Sequence, residues 1–185
     1  MEQLRQRRFT TDEFIAWALE QPTGRYELSN GVVVGMAPER AGHTRTKLDA
    51  AVALRLAVRT AGLDCEVFTD GMTVRVDDRT AYEPDALVRC GTRTPDEDLE
   101  ATDPVVVVEV VSPSSRGIDS GAKLVGYFSL PSVRHYLILD TDKRVVIHHH
   151  RDGKGEIGVQ ILGDGRLSLD PPGLAIDVGD LFRGI

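Results

Sequence analysis

The chain contains no apolar run approaching the roughly 18 residues that a membrane-spanning helix requires. Its first residues, Met1-Glu2-Gln3-Leu4-Arg5-Gln6-Arg7-Arg8, lack the apolar core of a signal peptide. Only two cysteines, Cys65 and Cys90, occur in 185 residues, too few to staple a chain of this length. They are expected as free thiols packed like small hydrophobes, in a reducing cytoplasm. There is no basic excess either. The formal net charge of −7 excludes a protein that coats nucleic acid through charge alone. It does not exclude a nuclease, because carboxylates that bind a cation contribute negative charge of their own. A polyanionic substrate would then meet a local basic strip, for which Arg5, Arg7, Arg8, Arg45, Lys47, Arg55 and Arg59 are candidates. A loose terminus and a solvated helix face account for these residues equally well. No internal repeat or low-complexity linker interrupts the chain, so one domain over residues 1–185 is expected.

What is present is ordinary globular composition, 41% hydrophobic and 28% charged. Thr10 and Glu13 form a capping box, with Phe9 placed to staple onto Phe14, so a helix is expected through Leu19. Asn30-Gly31 between apolar segments signals a two-residue hairpin. From His43 to Ala61, Leu48, Val52 and Leu56 recur at helical spacing, broadened by Ala51, Leu54 and Val58, and the stripe predicts a core-facing side. Gly62 is placed for the C-terminal cap. Short strands follow: Cys65 to Phe68 and Met72 to Val76, joined by Asp70-Gly71, then Ala86 to Val88 and Val105 to Val111. After a break at Ser112-Pro113-Ser114-Ser115, a helix from Asp119 to Ser129 is expected, then a strand pair around Asp140-Thr141-Asp142-Lys143. The expected architecture is α/β (α+β), a mixed sheet flanked by helices.

One residue does not fit this pattern. In Val105-Val106-Val107-Val108-Glu109-Val110-Val111, six valines surround a glutamate. An unpaired buried carboxylate costs several kcal/mol, so such a group is paired, protonated or metal-bound. A second acid, Asp85 in Glu83-Pro84-Asp85-Ala86-Leu87-Val88, stands at the mouth of another apolar strand. Two such carboxylates side by side repel, a divalent cation relieves them, and hard oxygen donors favour Mg²⁺, Mn²⁺ or Ca²⁺ over zinc. Lys123, on the following helix, is a candidate to orient water or stabilise developing charge. The bland readings stay open. Lys123 at i+4 from Asp119 suits a surface ion pair, Asp85 suits a turn cap, and Glu109 suits a buried salt bridge to Arg116 or Lys123. His148-His149-His150 resembles a metal tract, but alternation lets only His148 and His150 share a face, and an exposed edge strand is the expectation.

Tyr26-Glu27-Leu28-Ser29-Asn30-Gly31, His43, Glu83-Pro84-Asp85, Val108-Glu109-Val110-Val111-Ser112-Pro113-Ser114-Ser115, Lys123 and Tyr127 together resemble the Uma-two family, within the PD-(D/E)XK superfamily of restriction-endonuclease-like fold. The resemblance covers Phe9 to Phe182. It implies phosphodiester hydrolysis with Mg²⁺ (or Mn²⁺). It further implies Asp85 and Glu109 as metal ligands, the Val110 carbonyl as a third, Glu27 completing the acidic cluster, and a homodimer. His43, with Ser112 and Arg45, is the candidate set for contacting nucleic acid, DNA before RNA. The superfamily lysine falls two positions after the second acid, where this chain has Val111, so Lys123 is expected to supply the ammonium from the helix. The alternatives are a catalytically inactive binding or regulatory module of the same fold, and a glycosidase-like use of two carboxylates.

Overall fold

The computed structural model describes residues 7–111 and 120–185. Arg5, Ser112, Arg116 and Asp119 lie outside them. Helix α1 (Thr11–Leu19) begins at the expected capping box. The Thr10 side chain accepts from the Glu13 N–H while the Glu13 carboxylate accepts from the Thr10 N–H. Phe9 and Phe14 share one apolar cluster with Leu28 and Ala81. Strands β1 (Tyr26–Ser29) and β2 (Val32–Gly35) close through Asn30 and Gly31, both at positive φ, as a two-residue turn of this hand requires.

The long helix α2 (Ala41–Ala61) ends at Gly62, which takes the left-handed cap. Its buried face is not the bulky stripe. Ala50, Ala53, Leu54, Ala57 and Val58 pack inward, whereas Leu48, Val52 and Leu56 are each more than half exposed, at 63%, 58% and 59%. Ala50, Ala53 and Ala57 let the helix lie close against the sheet with Leu54 and Val58 beside them, while Leu48, Val52 and Leu56 are left on the outside.

That sheet has six strands in the order β10-β9-β8-β7-β6-β3. Its members are β3 (Cys65–Thr69), β6 (Ala86–Cys90), β7 (Pro104–Val111), β8 (His135–Asp140), β9 (Val145–Arg151) and β10 (Ile157–Leu162). Only β7 and β8 run parallel, joined across α3 (Ser120–Ser129). Strand β7 is central, and its side chains alternate between two cores. Val106, Val108 and Val110 meet α2 and the closing hairpin of β11 (Arg166–Leu169) and β12 (Leu174–Asp177), while Val107 meets Tyr127, Tyr136 and Ile138 on the other side. Strands β4 (Val74–Asp77) and β5 (Thr80–Tyr82) join β1 and β2 in a second sheet, ordered β2-β1-β5-β4. The segment Asp70-Gly71 therefore links two sheets and does not turn a hairpin, because β3 pairs with β6 and β4 with β5.

Two further expectations are overturned. Cys65 and Cys90 are not free thiols but a disulfide, formed across directly paired positions of β3 and β6 with their Cα atoms 3.9 Å apart. The histidine tract is not an exposed edge, because β10 covers β9 and His148 is buried. His148 belongs to a hydrogen-bonded chain. The carbonyl of Pro171 can only accept, so His135 Nε2 donates to it at 2.8 Å. His135 Nδ1 then accepts from His148 Nε2 at 2.9 Å, and His148 Nδ1 accepts from Gln160 at 2.7 Å. Every nitrogen is used with both rings neutral. Burial depresses the two imidazoles accordingly, His135 to about 4 and His148 to about 3.

Below about 6.5 the unfolded chain takes up protons at these rings that the native chain refuses, so stability falls as pH drops from about 6.5 towards 4. Urea denaturation at pH 7.5 and pH 5 is expected to show this loss in the parent. A His135→Asn/His148→Asn variant, compared by the same measurement, is expected to lose less between the two pH values, and an identical pH dependence would refute the assignment.

Candidate active site

Glu109 lies near the C-terminal end of β7, its side chain 12% exposed. The strand alternation that sends Val108 and Val110 towards α2 sends Glu109 towards α3. There it meets two side chains spaced i, i+4 on one helix face: Lys123 Nζ donates to Glu109 Oε1 at 3.0 Å and the Tyr127 hydroxyl donates to the same oxygen at 2.7 Å. Lys123 Nζ also donates to Glu27 Oε1 at 2.8 Å, and that oxygen accepts the Glu83 N–H at 3.0 Å. Lys123 thus points inward and bridges acids from β1 and β7; Asp119, the surface partner its spacing suggested, lies outside the described residues. Gly126 makes the approach possible, since a Cβ there would stand 2.9 Å from the buried ring of Tyr82.

Asp85 immediately precedes β6, and because Ala86 pairs with Val108, it stands beside Glu109 on the neighbouring strand. Its Oδ2 accepts the Val110 N–H at 2.6 Å, so a side-chain oxygen continues the hydrogen-bond ladder where the strand begins. His43 Nε2 lies 3.4 Å from the same oxygen and Lys47 Nζ 3.1 Å from Oδ1. Both come from the first turns of α2. Lys47 reaches two more acids, Asp70 at 2.6 Å and Glu39 at 2.7 Å, while Arg25 bonds Glu39, Asp70 and Glu83.

The electrostatics divide the two acids. Burial raises the Glu109 carboxyl to about 7, Lys123 opposes the rise, and the charges of Asp85 and Glu27 add to it. Burial also acts to raise Asp85, but His43, Lys47 and the Val110 N–H outweigh it and hold this carboxyl below its usual range. Lys123 and Lys47 are both held above the ordinary lysine range, because neighbouring carboxylates outweigh the cost of burial. Both ammonium groups are therefore cations at any working pH. Asp85 and Glu109 are neighbours along adjoining strands, and their carboxylate oxygens are hard donors of the kind a divalent cation takes.

Among the residues expected at the site, Glu27, Glu109 and Lys123 come together, whereas Asp85 is held by His43 and Lys47 and reaches the Glu109 strand through the Val110 N–H. Arg45 does not join them. It is exposed on α2 beside Gly184. Ser112 lies outside the described residues. Val110 takes part through its N–H. Lys47 does not belong to a surface basic strip, being buried among carboxylates. Glu39, Asp70, Glu83 and Arg25 are further members that sequence reasoning did not collect. The available signal was the four-residue spacing of His43 and Lys47, which puts both on one side of α2, with Glu39 a further four residues back, just ahead of the helix.

With this geometry established, comparison with known proteins adds the following. The Uma2 family model, described as "Putative restriction endonuclease", matches residues 11–179. The chain is 25% identical over 184 residues to "Uncharacterized protein slr1290" of Synechocystis sp. (strain ATCC 27184 / PCC 6803 / Kazusa), covering 96% of this chain and 93% of that one. A second protein of the same organism, "Uncharacterized protein sll1609", is 26% identical over 137 residues, 72% of this chain and 76% of its own. The crystal structure of a "putative nuclease belonging to DUF820" from Anabaena variabilis ATCC 29413 superposes with a TM-score of 0.71, covering 95% of this chain and 98% of that one at 16% identity. The fold is shared with that structure.

Removing one partner of a buried ion pair leaves the others uncompensated, at a cost of about 3 kcal/mol or more. Lys123→Met is therefore expected to destabilise the metal-free protein by about that amount in urea titration. A loss below about 0.5 kcal/mol, typical of an exposed pair, would show that Lys123 does not hold the inward position.

Proposed function

The chain belongs to the Uma2 (Uma-two) family, and from that membership together with the paired acids we propose that it is a Mg²⁺-dependent endonuclease that hydrolyses phosphodiester bonds of nucleic acid, DNA before RNA. One observation carries this reading: Asp85 and Glu109 stand side by side at the ends of adjoining strands, with the Lys123 ammonium 3.0 Å from Glu109. Asp85 and Glu109 would hold the cation, Mg²⁺ or Mn²⁺, with the Val110 carbonyl as third ligand and Glu27 completing the acidic cluster. When bound, such an ion supplies Lewis acidity and lowers the pKa of a water. Lys123, being always protonated, cannot act as a general base. Its role is to orient a water through its N–H groups or to stabilise charge on the phosphoryl oxygens. Tyr127 donates to the same Glu109 oxygen as Lys123, so the carboxylate is held before substrate arrives. His43 contacts the substrate at the edge of the acidic cluster, with Arg45 and Ser112 as further contacts.

The rival reading is a nuclease-fold module without turnover, in which the Lys123 bridge is only a buried salt bridge. Val111 at the position of the superfamily lysine and the net charge of −7 favour it. Cleavage of plasmid and single-stranded DNA with Mg²⁺ or Mn²⁺ separates the two. Asp85→Asn keeps an acceptor for the Val110 N–H, and Glu109→Gln keeps one for Tyr127. Each is expected to lower cleavage on the order of 100-fold or more while folding is retained. Equal activity in the parent and both variants would end the catalytic reading.

We further propose a homodimer formed through α2. No other element of the described chain covers the exposed row Leu48, Val52 and Leu56, whose bulk and four-residue spacing suit a second copy of the same helix. Val52→Glu is expected to convert a dimer to a monomer in light scattering, and a parent that is already monomeric would refute the interface. No helix among the described residues is long and apolar enough to cross a membrane. A cytoplasmic location is proposed from the nucleic-acid substrate, since the Cys65–Cys90 bond removes the argument from free thiols.

A further inference from the structure

Lys47 occupies an unusual place. Its ammonium is 2.7 Å from Glu39 Oε1, 2.6 Å from Asp70 Oδ1 and 3.1 Å from Asp85 Oδ1, with the side chain only 5% exposed. Around the same point stand the elements of a metal site. Glu39, His43 and Asp85 each offer one ligand atom, and these atoms lie within 4.8 Å of one another. His43 Nε2 is buried, makes no hydrogen bond among the described residues, and lies 3.4 Å from Asp85 Oδ2 and 3.9 Å from Glu39 Oε2. Ligands about 2.1 Å from one ion are separated from each other by about 3 to 4 Å. The three donors are within a small adjustment of that arrangement.

We propose that Lys47 is a resident cation that closes a latent second metal position formed by Glu39, His43 and Asp85, so that the centre accepts one fewer divalent ion than its ligands would allow. The inference shares Asp85 with the nuclease reading but depends on Lys47 and His43, which that reading does not require as metal ligands. Three carboxylates converge on the ammonium, and Arg25 alone is too little to neutralise them, because its guanidinium is also bonded to Glu83. A positive charge at this point is therefore obligatory. The chain supplies it as a tethered monovalent group, which saves the cluster from recruiting an ion. With the ammonium gone, the imidazole joins two or three carboxylates, a mixed nitrogen and oxygen donor set that suits Co²⁺, Mn²⁺ or Zn²⁺. Tethering has a geometric basis as well. Lys47 is at i+4 from His43, so the two side chains leave the same face of α2 and converge on Asp85.

The test is a count of bound ions. Equilibrium dialysis against Co²⁺ is carried out on the parent, on Lys47→Met, and on Lys47→Met/His43→Ala, with circular dichroism confirming that each is folded. Lys47→Gln, which keeps a polar group, serves as a second variant in case the methionine chain does not fold. Lys47→Met or Lys47→Gln is expected to bind one more Co²⁺ per chain than the parent, and the additional ion is expected to vanish in the double variant. The same number of ions with and without Lys47 would overturn the proposal, as would an additional ion that persists after His43 is removed. A parent that binds no ion at all would count against the nuclease reading, while the difference between parent and Lys47 variants would still decide this one.

Discussion

The ion pair between Glu109 and Lys123 ties the central strand to the helix that follows it, and much of the surrounding architecture serves to keep both charges out of water without separating them. A carboxylate in a valine strand is tolerable only with a counter-charge and hydrogen-bond donors in fixed positions. Lys123 and Tyr127 supply these from one face of α3, and Glu27 takes the second donor bond of the lysine. Helix α3 can lie close enough only because residue 126 has no side chain where the Tyr82 ring must sit. The small sheet contributes in turn, since β1 carries Glu27 and β5 carries Tyr82.

A second charged cluster, built around Asp85, has a different composition. Lys47 comes from α2, and Arg25, Glu39, Asp70 and Glu83 from connections between elements; all but Glu83, which Arg25 alone binds, meet more than one opposite charge. The two clusters meet at the start of β6, where Asp85 accepts the N–H of Val110, the residue after Glu109. One acid is held ionised by cations and a backbone N–H, and the other is driven towards its protonated form by burial. Two like groups with opposite tendencies, side by side, are a common arrangement where chemistry is done.

Local signals in the sequence translated directly into structure. The capping box at Thr10, the Asn30-Gly31 turn and the Gly62 cap each depend on a few neighbouring residues, and each formed as expected. Glu109 was legible because a charge among valines has few explanations. Features that depend on distant parts of the chain were not legible. Which face of α2 turns inward is decided by how closely the helix must approach the sheet, and that requirement selects Ala50, Ala53 and Ala57 over the bulkier Leu48 and Val52. The Cys65–Cys90 bond depends on the register of β3 against β6, across 25 residues of sequence. The inward turn of Lys123 depends on acids 14 and 96 positions away, whereas its surface alternative needed only the preceding turn of helix.

Placing the ammonium on α3 releases position 111 for packing, and Val111 does pack, beside the cluster containing Tyr136 and Ile138. A lysine two residues along the strand would reach its acid as soon as the strand formed. Here acid and ammonium arrive on separate elements and meet only when the helix docks. Packing between α3 and the central strand thereby sets the distance between acid and ammonium, so a substitution that loosens that contact separates the pair without altering either charge.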